Sequence, residues 1–448
     1  MATKRQLRLN LFSHDIGHHE SAWRLPESDP SATLKVEHYV NLARIAEAAK
    51  FDSVFFADSP SVFGDPRYRP VGRLEPTTLL GALAVSTERI GLIATASTSY
   101  SEPYDLARRF ASLDHVSGGR VGWNVVTTAG DEAARNFGRD GQALHRVRYD
   151  RAAEFLDVVT KLWDSWEDDA PVADKRAGLF ADPEKIHAIE HTEEHFSVAG
   201  ALNVPRSPQA YPVLVQAGSS LDGRIFAGRY AEAVFTAQRS LAEGQAFYAE
   251  LKRRAVEAGR RAEDVLVLPG ICAFIGSTEA EAKARERDFT ELIIPAYGLG
   301  QLSRFFETDL SGADLDGPLP KVPAEDDVEG HKSRSTLVAQ LARREGLTVR
   351  ELLGKLGGGR GHRTFAGTPE QVADTIEEWF TDGAADGFNV MPPALPSDLE
   401  AFTEHVVPEL QRRGLFRTEY EGTTLREHYG LARPRNRFER ELLAGAAS

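Results

Sequence analysis

The side chains of this sequence that could do chemistry sit at the ends of short apolar runs. Ser13 and His14 follow LRLNLF, and Asp58 closes SVFFAD. Thr95 and Ser97 lie in IGLIATAS, Asn124 and Thr127 in RVGWNVVT. Ser219 and Ser220 follow PVLVQAG, and Gln238 ends AVFTAQ. A glycosidase needs two facing carboxylates, and Asp58 is the one acid in this set. A metal hydrolase needs several His and acidic ligands together, which the set lacks. A ring of mostly neutral donors and acceptors suits a large flat heterocycle instead.

Three further patterns carry chemistry. In AGSSLDGRIFAGRYAEAVF, Ala217-Gly218 gives a tight exit, and Ser219 and Ser220 open a helix with free N–H groups, Arg224 nearby. That is a phosphate cradle in physical terms; the plainer reading is a serine N-cap. It is no GxSxG elbow, because Leu221 stands where the second Gly belongs if Ser219 is the serine. His145 and Tyr149, four apart, share one helix face. Ala152, Leu156, Val159 and Trp163 continue that stripe, which places both rings on the buried side. Core packing with a satisfied His is the plainer reading there. HTEEH (191–195) lacks the HExxH order of a zinc helix, and the FSV after it reads as a short strand in an insertion, so no metal is expected. His14, His18 and His19 share the loop after the first run and face substrate or solvent.

The elements that must position these groups alternate along the chain. Strand-like runs cover 7–12, 53–58, 90–97, 120–127, 212–218, 233–238, 265–275 and 387–392. Segments with helical spacing lie between them, among them LKVEHYVNLARIAEAAK, DLARRFASLDHV and VRYDRAAEFLDVVTKLW. TPEQVADTIEEWF starts with Thr368 as N-cap and Pro369 at the first helical position. Eight apolar strands alternating with helices predict a parallel α/β arrangement, an eight-stranded barrel of the TIM type with chemistry at the carboxyl ends of its strands. An open doubly wound sheet is the alternative, but GxGxxG after the first strand and GxxxxGK[ST] are both missing. GGGRG (357–361) follows a polar segment and reads as a flexible loop. Three stretches exceed the plain alternation and read as insertions: 59–74 after the second strand, 167–211 after the fourth, and 297–365 before the last helix–strand pair. Residues 1–415 form one expected domain. The polar tail 416–448 is expected on the surface or at a subunit contact.

Composition narrows the partners. The chain has 448 residues, 42% of them hydrophobic, and a formal net charge of -14. That charge argues against nucleic acid and anionic membranes. The N-terminus lacks an apolar signal stretch, no run is long enough to span a bilayer, and a cytoplasmic location is expected. Cys272, the one cysteine, permits no intrachain disulfide and reads as a buried thiol.

Longer stretches carry a family likeness. FFADSP, RLEPTTLLGALAVSTERIGLIATASTSYSEPYDLARRFASLDHVSGGRVGWNVVTT, NFG, HRVRYDRAAEFLDVV and QAGSSLDGRIFAGRYAEAVF resemble the flavin-dependent monooxygenases of the bacterial-luciferase-like superfamily. The branch is that of the nitrilotriacetate, EDTA, dibenzothiophene-sulfone and dimethyl-sulfide monooxygenases, and the likeness runs to about Leu415. It implies a TIM-like barrel with insertions, and reduced FMN (FMNH2) delivered by a separate NAD(P)H-dependent flavin reductase. Dioxygen and a small organic substrate would meet through a peroxyflavin, and the chain would form a homo-oligomer, dimer or tetramer. The implied cofactor-binding residues are Asp58, Thr95, Asn124, His145, Tyr149, Ser219 and Ser220, with His14 and Asn124 as catalytic candidates. A deazaflavin (F420)-dependent dehydrogenase on the same barrel and a non-catalytic flavin-binding protein are the alternatives.

Overall fold

Each of the eight apolar runs becomes a strand in the computed structural model, which describes residues 5–62, 65–128, 130–218, 220–323, 332–359 and 361–438. The strands are β1 (Arg8–Ser13), β2 (Ser53–Phe56), β3 (Gly91–Ser97), β4 (Val121–Val126), β5 (Val213–Ala217), β6 (Ala233–Thr236), β7 (Leu266–Ile275) and β8 (Gly387–Val390). All neighbours pair in parallel, in chain order from β1 to β8, and β8 pairs back onto β1. The sheet therefore closes into the expected barrel. Side chains alternate across it. Phe12, Phe55, Ile93, Val213, Val215, Phe235, Leu268 and Cys272 form an inner cluster. Leu9, Leu11, Val54, Leu92 and Leu214 face outward, into a larger core shared with the helices. With both faces buried, these strands read as nearly continuous apolar runs.

The helices that cover the barrel include α1 (Val36–Ala48), α2 (Pro76–Ala84), α3 (Pro103–Ser117), the short α4 (Asp131–Asn136), α5 (His145–Trp163), α6 (Leu221–Tyr230) and α7 (Leu241–Glu257). Further on come α8 (Glu279–Glu291), α9 (Pro295–Phe305), α10 (Lys332–Glu345), α11 (Val349–Gly359) and α12 (Pro369–Thr381). Thr368 caps α12 in a full capping box with Gln371, as its position before Pro369 predicts.

The region 167–211 holds two antiparallel hairpins, Pro171–Asp174 with Leu179–Ala181 and Ala188–Thr192 with Ser197–Gly200. His191 of HTEEH is buried between Glu154 Oε1, 3.2 Å away, and Lys161 Nζ, 3.0 Å away. Glu154 also accepts from the N–H groups of His195 and Phe196, at 2.9 and 2.8 Å. Glu154, His191 and Glu193 do present ligand atoms to one another. The Lys161 ammonium already occupies one ring nitrogen of His191, so this group clamps the second hairpin to α5.

Two expectations need correction. Gly357, Gly358 and Gly359 are not a flexible loop. They form the buried last turn of α11, where a Cβ on Gly358 would sit 3.3 Å from the His19 ring and 3.4 Å from that of Phe274. Arg360 lies outside the described residues. The tail does not simply cover the surface either. Leu425 plugs the amino end of the barrel, so close that a Cβ on Gly91 would come within 2.5 Å of its Cδ1. Tyr429 donates to Asn10 Oδ1 at 3.0 Å, and Arg417 pairs with the buried Asp52. A polar sequence can be buried when its charges find partners. Residues 439–448 are outside the described part.

Candidate functional site

Strand register builds the first group of residues. Thr95 on β3 stands opposite Asn124 on β4, in phase with the inward-facing Ile93. Both side chains are buried, at 3% exposure. Thr95 Oγ1 donates to the carbonyl of Phe56 at 2.8 Å and accepts from Asn124 Nδ2 at 2.8 Å. Because the hydroxyl proton is committed to Phe56, the Asn124 amide has only one consistent orientation. Among the described residues, its Oδ1 is left buried with no hydrogen-bond partner. A buried acceptor of this kind costs free energy unless something donates to it. It sits above an apolar barrel in which Phe12, Phe55 and Phe235 pack with centroids 5.0–5.7 Å apart. An acceptor over an apolar floor fits an N–H on the edge of a flat heterocycle.

The second group lies where β5 leaves the barrel. Ser220 caps α6, its Oγ accepting from Gly223 N at 3.2 Å. The Tyr149 hydroxyl faces Ser220 and Thr127, and burial pushes its phenol up. Thr127 follows β4, so this group adjoins the first. His145, with its ring 4.9 Å from that of Tyr149, holds Asp222 of the first turn of α6 through Nδ1 at 2.7 Å. Gln216 is 2% exposed, and its Oε1 has no hydrogen-bond partner among the described residues. Two glycines keep the space open. A Cβ on Gly223 would meet Ser220 Oγ at 3.1 Å and Tyr149 Oη at 3.2 Å, and one on Gly218 would meet Gln216 Nε2 at 2.9 Å. Free N–H groups at a helix start, hydroxyls and an amide suit a phosphate. Ser219 lies outside the described residues.

The third group forms the rim. Burial pushes the Asp58 carboxyl up, partly offset by the Ser59 N–H and Arg73. His14 Nδ1 is 3.1 Å from Asp15, which also pairs with Arg69 and, at 3.4 Å, with Arg73. Burial alone would raise the Asp15 carboxyl, but His14, Arg73 and Arg69 hold it well below the usual carboxylate range. Arg69 donates to the Tyr297 hydroxyl at 3.0 Å, tying the 59–74 loop to α9. His18 packs edge-on to Phe12, and His362 stacks on Phe235 at 4.9 Å. On the opposite rim Phe137 stacks on Tyr100 at 4.6 Å.

Thus Thr95 and Asn124 meet each other, His145, Tyr149 and Ser220 meet around α6, and Asp58 is linked to His14 only indirectly, through Arg73 and Asp15. Gln238 does not join the ring: out of phase with Phe235, it lines a groove between α6, α7 and α10. Gln216 and Asp222 escape a reading of strand ends. A glutamine inside PVLVQAG was the available signal for the first, and Asp222 gives none until α5 and α6 pack together.

Comparisons with known proteins bear on the family of the chain. Residues 17–386 match the model of the luciferase-like monooxygenase family. The chain is 49% identical to N-acetyl-S-(2-succino)cysteine monooxygenase of Bacillus subtilis (strain 168), over 97% of this chain and 99% of that one. It is also 49% identical to nitrilotriacetate monooxygenase component A of Aminobacter aminovorans, with the same shares covered. Among solved structures, EDTA monooxygenase from Chelativorans sp. BNC1 superposes with a TM-score of 0.82 at 37% identity, over 96% of this chain and 99% of that one. The barrel, its strand-end polar groups and these likenesses together make this chain a member of the luciferase-like monooxygenase family, the flavin-dependent monooxygenases.

Proposed function

We propose that the chain is the oxygenase component of a two-component system. It takes FMN in its reduced form from a separate reductase and inserts one atom of dioxygen into a small organic molecule. The observation that carries this reading is the unpartnered Asn124 Oδ1 above an apolar barrel, flanked by a phosphate cradle on the next strand. Bound reduced FMN would supply the two electrons that let one oxygen atom enter the substrate and the other leave as water. The protein's share is binding, orientation and exclusion of water. Asn124 accepts from a ring N–H, and Thr95 holds the amide in place. Tyr149, Ser220 and the first N–H groups of α6 hold the phosphate. His145 fixes the helix start through Asp222. Phe12, Phe55 and Phe235 keep the floor dry. Asp58 and His14 face the substrate side, and the 297–365 region acts as a lid. The name of the nitrilotriacetate relative, a component A, supports a partnered system.

The purified chain alone should not oxidise NADH. With an unrelated flavin reductase, FMN and labelled dioxygen, one labelled atom should appear in the product of a screened substrate. Rapid NADH oxidation by the reductase-free chain refutes the two-component reading. Turnover with a deazaflavin in place of FMN and dioxygen selects the dehydrogenase instead. Flavin binding that never couples to a product selects the non-catalytic binder.

A further inference from the structure

A groove of about 470 Å³ lies between α6, the residues after β6, α7 and α10, beyond Ser220. Three arginines line it: Arg224 on α6, Arg239 just after β6, and Arg344 on α10. Two are matched. Arg224 Nε is 3.4 Å from Glu250 Oε1, and Arg344 Nη1 is 3.3 Å from Glu243 Oε1. Both carboxylates are committed elsewhere as well. Glu250 accepts from Arg254 at 2.9 and 2.7 Å, and Glu243 accepts from the N–H groups of Arg239 and Ser240 to cap α7.

Arg239 differs. Among the described residues no carboxylate lies within ion-pair distance of its guanidinium, and its Nη1 is buried without a hydrogen-bond partner. Its backbone is held, since its carbonyl accepts from Arg363 Nη1 at 3.0 Å. A positioned, partly desolvated guanidinium with a buried, unpartnered Nη1 is a receptor for a planar or tetrahedral oxyanion. Gln238, Gln340 and Ser220 supply neutral donors around it. The volume is in the range of small-ligand sites.

We propose that this groove is an oxyanion site in which Arg239 is the main ligand, taking a carboxylate or a phosphate. One wall is α10, part of the inserted region, and the other is the barrel. A bound anion would therefore tie α10 to the helices around the barrel. The anion has two possible sources, a carboxylate of the organic substrate or the phosphate of flavin arriving at Ser220. Only the second source rests on the proposed flavin chemistry; the oxyanion site itself does not.

The test uses the full flavin-free chain at constant ionic strength, titrated with inorganic phosphate and with succinate against chloride, and read by thermal melting and calorimetry. The wild type should be stabilised by at least one of the two anions. Arg239→Gln should bind it about tenfold more weakly, the loss expected for a charged hydrogen bond, and Arg239→Lys should recover part of the affinity. FMN and riboflavin titrations separate the sources. A flavin-phosphate source predicts about tenfold weaker FMN binding by Arg239→Gln with riboflavin unchanged. A substrate source leaves both flavins unchanged while succinate binding is lost. Should Arg239→Gln fail to fold, Arg344→Gln should weaken anion binding by a smaller factor, about threefold. The proposal is overturned if neither anion binds the wild type, or if wild type and variants bind equally. Failure of the flavin reading would show separately, as absent riboflavin and FMN binding by the wild type.

Discussion

Asn124→Leu should leave the flavin-free protein as stable as before or more so while weakening flavin binding. The variant removes an acceptor that is buried without a partner in this structure. Such a group costs about 1–3 kcal/mol, or close to nothing where a water reaches it. The lost Nδ2 donation to Thr95 at 2.8 Å contributes about 1 kcal/mol. Thr95 keeps its own donation to Phe56, so no new unpaired donor appears. Added apolar burial returns about 1 kcal/mol. The net change for the ligand-free chain lies between about zero and 3 kcal/mol of stabilisation, a melting rise of roughly 0–4 °C for a chain of this size. Flavin binding loses one hydrogen bond, about 1.4 kcal/mol or tenfold in affinity. Saturating FMN should then stabilise the wild type by about 1.4 kcal/mol more than the variant. Thermal melts with and without FMN, together with anaerobic titration of reduced FMN, read both quantities. A variant that melts more than about 3 °C lower and binds flavin like the wild type would show Asn124 to be a structural amide, and the reasoning would be wrong.

Ser220→Ala should raise the Kd for FMN about tenfold and leave riboflavin nearly unchanged, with about 1 kcal/mol of stability lost with the α6 cap; equal losses for both flavins would mean the serine is only a cap. The Asp58 carboxyl is raised by burial from its usual 3.8, so folding favours its protonated form, and its stabilising share is full below pH about 4 and lost as pH rises through the folded value. Asp58→Asn should therefore gain stability relative to wild type between pH 4 and pH 7, and parallel melting curves across that range would contradict the assignment. Leu425→Ala should cost about 2–5 kcal/mol, because this fully buried side chain fills the amino end of the barrel; a loss under about 1 kcal/mol in denaturant titration would mean the tail does not seal it. In limited proteolysis the half-exposed stretch 308–323 should be cut before the buried turn at 357–359, and more slowly with flavin and substrate bound; equal rates would count against a lid.

Local pattern was enough for the barrel. A parallel strand buried on both faces must be an apolar run, and the helices between must show a stripe, so LRLNLF, IGLIATAS and VLVLPGICAFI announce β1, β3 and β7 directly. The polar residues at the ends of those runs were equally visible, and Thr95, Asn124, Tyr149 and Ser220 do fall into contacting groups. Tertiary packing decided what those residues can offer. Only the register of β3 on β4, with the Phe56 carbonyl beside them, orients the Asn124 amide and leaves its oxygen open. Only the packing of α5 on α6 joins His145 to Asp222. The glycines at 357–359 read as a loop because glycine carries no periodic signal, yet close contact with His19 and Phe274 requires them inside a helix. The 297–365 stretch read only as an insertion, but Leu302, Phe306, Val338, Leu341, Val349 and Leu352 gather into a core of their own. The tail looked polar, yet Arg417 and Tyr429 find buried partners beneath the barrel. Periodicity is a property of neighbours along the chain, whereas an open acceptor or a buried charge depends on what distant segments bring to it.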